Sequence, residues 1–76
     1  MPPRKSPDNQ ALAKAIRATR ERRGHSQEGF AARAGMDRSY YGAIERGEFN
    51  PSLDTIVRIA TSLGTRASAL LKRAGL

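Results

Sequence analysis

The sequence predicts an all-α protein built from five short helices, and three observations carry that expectation. No run of β-branched residues alternates with polar ones in the manner of a strand. Apolar residues instead recur three and four apart, as on one face of a helix. Glycines at 24, 35, 47 and 64 cut this pattern into pieces, and Ser26, Asp37 and Ser52 follow three of those cuts. Glycine ends helices well, and serine or aspartate starts them.

The elements follow in order. Residues 1–8 (MPPRKSPD) hold three prolines and two basic side chains, and read as a mobile basic arm ahead of a domain over 9–76. Helix 1 is expected over about 9–23. Leu12, Ala13 and Ile16 form its inner stripe, extended by Thr19 and Arg20, while Lys14, Arg17, Arg22 and Arg23 are left for solvent or phosphate. Helix 2 starts at the cap Ser26 and runs to about 34, with Phe30, Ala31 and Ala34 on one face. Helix 3 starts at the cap Asp37 and runs to about 46, with Tyr41, Ile44 and Glu45 inside. Helix 4, from Leu53 to about 63 behind the cap Ser52, carries more apolar residues than one stripe needs, so burial on two sides is expected. Helix 5 covers about 66–73. The expected core is Leu12, Ile16, Phe30, Ala31, Ile44, Leu53, Ile56, Ala60, Leu63 and Leu70.

Composition narrows the partners. Fourteen Lys and Arg against seven Asp and Glu leave a net charge of +7 on 76 residues, which favours a polyanion. Arginine outnumbers lysine 11 to 3. A GC-rich genome produces that ratio by itself, but it does not produce the net charge. With no cysteine and the single histidine His25, neither a disulfide framework nor a metal site is expected. No nucleophile–base pair points to an enzyme, and no cofactor is expected. No apolar run approaches a membrane span, and the N-terminus is no secretory signal, so a cytoplasmic protein is expected.

The informative stretch is 26–47, SQEGFAARAGMDRSYYGAIERG, in which two short helices flank Gly35-Met36-Asp37. Gly35 can take the positive φ that strains a side chain, Ala31 is small where the helices cross, and Ile44 plugs the core. This is the layout of a helix-turn-helix with helix 3 as the reading helix. At IRATR (16–20), SQEGFA (26–31), DRSYYGAIERG (37–47) and NPSLDTI (50–56), the chain resembles the phage-repressor family of Cro or Xre type. It is especially similar to restriction–modification controller proteins. The resemblance implies a compact, five-helix, lambda-repressor-like domain that binds double-stranded DNA and regulates transcription as a homodimer on a near-palindromic site.

The resemblance also assigns roles. Gln27 matches a residue that anchors a phosphate and braces the reading helix. Arg38, Ser39, Tyr40 and Ala43 match base-facing positions; Arg46 and Asn50 match phosphate contacts, to which the exposed Arg17 is added. Arg20 and Glu45 match a buried ion pair joining helices 1 and 3. The chemistry agrees with these roles: Arg38 can grip guanine O6 and N7 together, while Ala43 could only pack on a thymine methyl or leave room. Apolar residues left over on helices 4 and 5, namely Val57, Ala67, Leu71 and Leu76, with Ile59 shared with the core, suit a dimer interface centred near Leu71.

Four positions depart from the family pattern: Thr19, His25, Gly29 and Arg66. An antitoxin-like module that also represses its own operon is the alternative reading, although the chain ends soon after helix 5. RNA binding ranks lower, since neither aromatic-rich strands nor a GXXG loop is present.

Overall fold

A computed structural model describes residues 6–76. Five α-helices follow one another: α1 (Pro7–Arg22), α2 (Gln27–Arg33), α3 (Arg38–Glu45), α4 (Leu53–Ser62) and α5 (Ala67–Arg73). No strand occurs among the described residues. Helix α1 packs on α3 and α5, α2 on α3, and α4 on α5.

Local chemistry sets most of the boundaries. Ser26 Oγ accepts from the Gly29 N–H at 2.9 Å, Asp37 Oδ2 from Tyr40 at 3.1 Å, and Ser52 Oγ from Thr55 at 3.1 Å. Each cap satisfies a donor that the first helical turn leaves unpaired, and contributes about 1 kcal/mol. Gly29 is thus the third residue of α2, facing its cap. A Cβ there would stand 2.9 Å from Ser26 Oγ, so the glycine leaves room for the serine. Arg66, the residue ahead of α5, makes no side-chain cap bond.

The start of α1 differs from expectation. Ser6 caps it, accepting from the Asn9 N–H at 3.2 Å, and Pro7 and Asp8 form its first turn. Proline fits the first helical position because its missing N–H has no partner there anyway, and an aspartate beside it suits the positive end of the helix dipole. Two of the eight residues assigned to the arm therefore belong to the helix and a third, Ser6, caps it; the other five lie outside the described residues.

The core gathers Leu12, Ile16, Phe30, Ala31, Tyr41, Ile44, Ile56, Ile59, Ala60, Leu63 and Leu70. Burying one such large apolar side chain is worth roughly 1.5–3 kcal/mol. The Phe30 ring tilts against Tyr41 at 5.1 Å between centroids, and the His25 ring lies 5.8 Å from that of Phe30. Thr19 enters the core by donating its hydroxyl to the Ala15 carbonyl at 2.8 Å.

Two apolar residues trade places with respect to the sequence expectation. Leu53, expected in the core, is 66% exposed, because it opens α4 at the solvent end of the helix. Ile59, expected to be shared with a dimer interface, is fully buried.

The turn between α2 and α3 closes by two backbone bonds, from Gly35 to Ala32 at 3.1 Å and from Met36 to Ala31 at 2.8 Å. Gly35 takes φ +68°, the left-handed conformation the turn requires. At the far end of α3, Asn9 reaches over from α1. Its buried amide donates to the Gly47 carbonyl at 2.8 Å, a clamp across 38 residues of chain.

Candidate nucleic-acid interface

Helix α3 has an inner and an outer side, and the inner side holds a junction of polar groups. Glu45 is buried there. Its Oε2 accepts from Arg20 Nε at 2.6 Å and its Oε1 from Arg20 Nη2 at 3.0 Å, a two-pronged ion pair between α1 and α3. The Tyr41 hydroxyl, one turn earlier on α3, also donates to Oε2. Gln27 Nε2, from the start of α2, donates to Oε1 at 3.2 Å. Arg20 extends the junction by donating to the His25 carbonyl at 2.8 Å. One carboxylate therefore ties three helices together.

Burial alone would raise the Glu45 carboxyl, but the donors from Arg20, Tyr41 and Gln27 outweigh it and hold the group below its ordinary value. The hydrogen bond to Glu45 raises Arg20, although burial opposes it. Burial and the neighbouring carboxylate push the Tyr41 phenol far upward, so it stays protonated as a donor.

The outer side carries a shallow trough of about 260 Å³ lined by Gln27, Arg38, Ser39, Gly42 and Arg46. Arg38 and Ser39 are exposed at the start of α3. Exposed carboxylates attend the arginines: Glu28 lies 3.8 Å from Arg38, and Glu48 lies 2.8 Å from Arg46. Such surface pairs are worth at most about 1 kcal/mol in water and exchange readily for a stronger anion. The trough is rich in donors and bears two guanidinium groups. It can bind phosphate oxygens or the acceptor edge of a base.

Four of the eight residues expected to face DNA meet in this trough: Gln27, Arg38, Ser39 and Arg46. Tyr40 stands beside it, 39% exposed, with its ring tilted against that of Phe49 at 5.6 Å. Ala43 is covered rather than exposed. It is only 4% exposed, and just beyond α3 the chain turns back, with the Glu48 N–H donating to the Ala43 carbonyl at 3.0 Å. Gly42, also buried, lines the trough where Ala43 was expected to. Asn50 is exposed but lies elsewhere, beside a groove it shares with Asn9, Leu12, Ile56, Leu71 and Leu76. Arg17 is exposed on α1, 3.5 Å from Glu21, and does not line the trough.

Of the candidate interface residues, Val57 and Leu76 are 46% and 53% exposed, and Ala67 and Leu71 are half-buried against the core. The contributions of Tyr41, Gly42 and Asn9 were not anticipated. Tyr41 and Glu45 are four apart on one helix, a spacing that places side chains together and could have revealed their bond. The clamp from Asn9 has no such local signal.

A profile of the family described as helix-turn-helix matches residues 16–70. The chain belongs to the helix-turn-helix family, of Xre type. In this helix-turn-helix chain the paired helices are α2 and α3, and its relatives are regulators of transcription. The control protein C.SmaI of Serratia marcescens is 40% identical, over 86% of this chain and 77% of its own length. A hypothetical transcription factor of Neisseria meningitidis is 40% identical, over 91% of this chain and 69% of its own. The crystal structure of the restriction–modification controller protein C.AhdI from Aeromonas hydrophila superposes with a TM-score of 0.79 at 40% identity, covering 83% of this chain and 96% of that one. Among the described residues no helix is long and apolar enough to cross a membrane, and no three His, Cys, Asp or Glu are placed to hold a metal ion.

Proposed function

We propose that this protein is a transcriptional regulator that binds double-stranded DNA in a sequence-specific way, with α3 in the major groove. The observation that carries the reading is the trough: Gln27, Arg38, Ser39 and Arg46 converge on the outer side of α3, while its inner side is fixed through Glu45. Arg38 stands at the first turn of the helix, where base edges are reached, and grips guanine O6 and N7. Ser39 reads beside it. Arg46, at the end of the helix, exchanges Glu48 for a phosphate. The net charge of +7 supplies the sequence-independent part of the affinity.

One reading helix makes a small footprint, since single modules bury roughly 600–1,000 Å² on DNA. A homodimer on a near-palindrome places two copies about 34 Å apart, one turn of the duplex. Exposed Leu53, Val57 and Leu76 supply apolar surface for this assembly, with half-covered Leu71 in a groove it shares with Leu76; Ile59, inside the core, takes no part.

Selection of bound duplexes from a random pool, followed by sequencing, tests the reading. The expected outcome is two inverted half-sites about one turn apart, each with a guanine at a fixed position. Recovery of sequences with no common pattern refutes it.

A further inference from the structure

Gln27 enters the trough from α2, and its terminal amide is not free to turn over. Its Nε2 donates to Glu45 Oε1, and an ionised carboxylate only accepts. Reversing the amide would set oxygen against oxygen. Glu45 has no freedom to move aside, because its oxygens also hold Arg20 and Tyr41. The amide oxygen, Oε1, therefore takes the opposite side and lies over Gly42, where a Cβ would stand 3.3 Å from it. The glycine leaves the room in which the amide crosses the third helix.

The atom presented over Gly42 is thus an acceptor. A phosphate oxygen is an acceptor too, and the two repel. The donors that base edges offer in the major groove are the exocyclic amines, N6 of adenine and N4 of cytosine. Arg38, in the same trough, offers the opposite chemistry and suits a guanine. We propose that Gln27 reads a base: its Oε1 accepts from the exocyclic amine of an adenine or cytosine near the guanine held by Arg38. This reading rests on α3 lying in the major groove, and it replaces a phosphate-anchoring role for Gln27 with a specificity-determining one.

The test is selection from random duplexes with the wild-type protein and with Gln27→Met, which keeps the side chain's length and removes both polar atoms. The wild type is expected to restrict one position per half-site to adenine or cytosine. In Gln27→Met that restriction should vanish while the guanine position persists, and affinity for the wild-type site should fall roughly three- to tenfold. Uniform weakening with an unchanged sequence preference means a phosphate contact. A lower melting temperature with unchanged preference and affinity means a structural brace. Either result overturns the proposal.

Because Gln27→Met also removes a bond to Glu45, a second measurement alters the DNA instead. The adenine is replaced by purine, or the cytosine by 2-pyrimidinone, so that only the amine is lost. Wild-type affinity should drop by the same factor, and that of Gln27→Met should not drop further; equal losses in both proteins overturn the proposal. A wild type that selects no duplex overturns the DNA-binding reading together with this one, whereas selection unaltered by Gln27→Met overturns this one alone.

Discussion

Removing the Glu45 carboxylate should take away a large share of this domain's stability. Glu45→Ala strips a bidentate partner from the buried Arg20 guanidinium and an acceptor from the buried Tyr41 hydroxyl and from Gln27. Breaking a buried pair from one side costs about 3–5 kcal/mol, chiefly because a charge is left buried without a partner. A chain of 76 residues has roughly 4–11 kcal/mol of stability in all. The loss is therefore a large share of the whole, and should lower the melting temperature by at least about 12 °C. Circular dichroism during urea and thermal unfolding measures it. Glu48→Ala is the control: Glu48 faces Arg46 at the surface, and its removal should cost less than about 1 kcal/mol. A companion variant, Arg20→Met with Tyr41→Phe and Glu45→Leu, leaves no buried charge at the junction and should recover much of the loss. Equal, small effects from Glu45→Ala and Glu48→Ala would refute the assignment of Glu45 as the tie between α1, α2 and α3.

The same carboxylate shapes the response to acid. Its folded-state pKa lies below the ordinary value of about 4.5, so its contribution is complete above that value and is lost as pH falls through the lowered folded pKa; urea midpoints measured downward from pH 6 should show this acid-side loss, and Glu45→Gln should lack that part of it. Arg38→Ala should relax the guanine position and cost about 1–3 kcal/mol at the selected site, whereas Arg46→Ala should weaken all duplexes alike, as competition binding at fixed salt will register. Val57→Glu, at a half-exposed position, should leave the dichroism spectrum intact and shift sedimentation equilibrium at micromolar concentration from dimer to monomer; a wild type that is already monomeric, free and on DNA, removes the dimer from the account. Gly42→Ala should not show the roughly 1 kcal/mol that alanine ordinarily gains over glycine in a helix, because Gln27 is pinned to Glu45 and cannot give way, and thermal melts will register this. Its methyl would press on Gln27 Oε1 and Arg46 Nη1, so the selected sequence should change as well.

The sequence carried the parts of this structure that local chemistry decides. Ser26, Asp37 and Ser52 cap the helices they were expected to cap, because the unpaired N–H groups of a first turn demand such side chains wherever they occur. The same signal stood at Ser6-Pro7-Asp8, but proline density there reads as a linker, and the bond from Asn9 to Gly47 that docks this first turn has no local signal. Leu53 was misplaced for a different reason. Residues 53, 56, 57, 59, 60 and 63 cover nearly half the circumference of α4, wider than one narrow stripe, and periodicity alone cannot say which edge of that arc is left to solvent. Ala43 follows Ser39 by four residues and shares its side of the helix, yet a methyl group is short enough to be covered by its neighbours. Exposure at such a position depends on where the following loop goes, which is a tertiary fact.

The junction at Glu45 sorts the reading surface by how freely it can change over generations. Arg38 and Ser39 are exposed, so under the proposed DNA-binding role exchanges there should alter the preferred site at little cost to folding. Gln27 shares a carboxylate with Arg20 and Tyr41, and an exchange there needs a second change in α1 or α3 to restore the balance of donors and acceptors. After a gene duplication, the two copies should separate first through residues 38 and 39. The base facing Gln27 should be the slowest letter of the operator to drift.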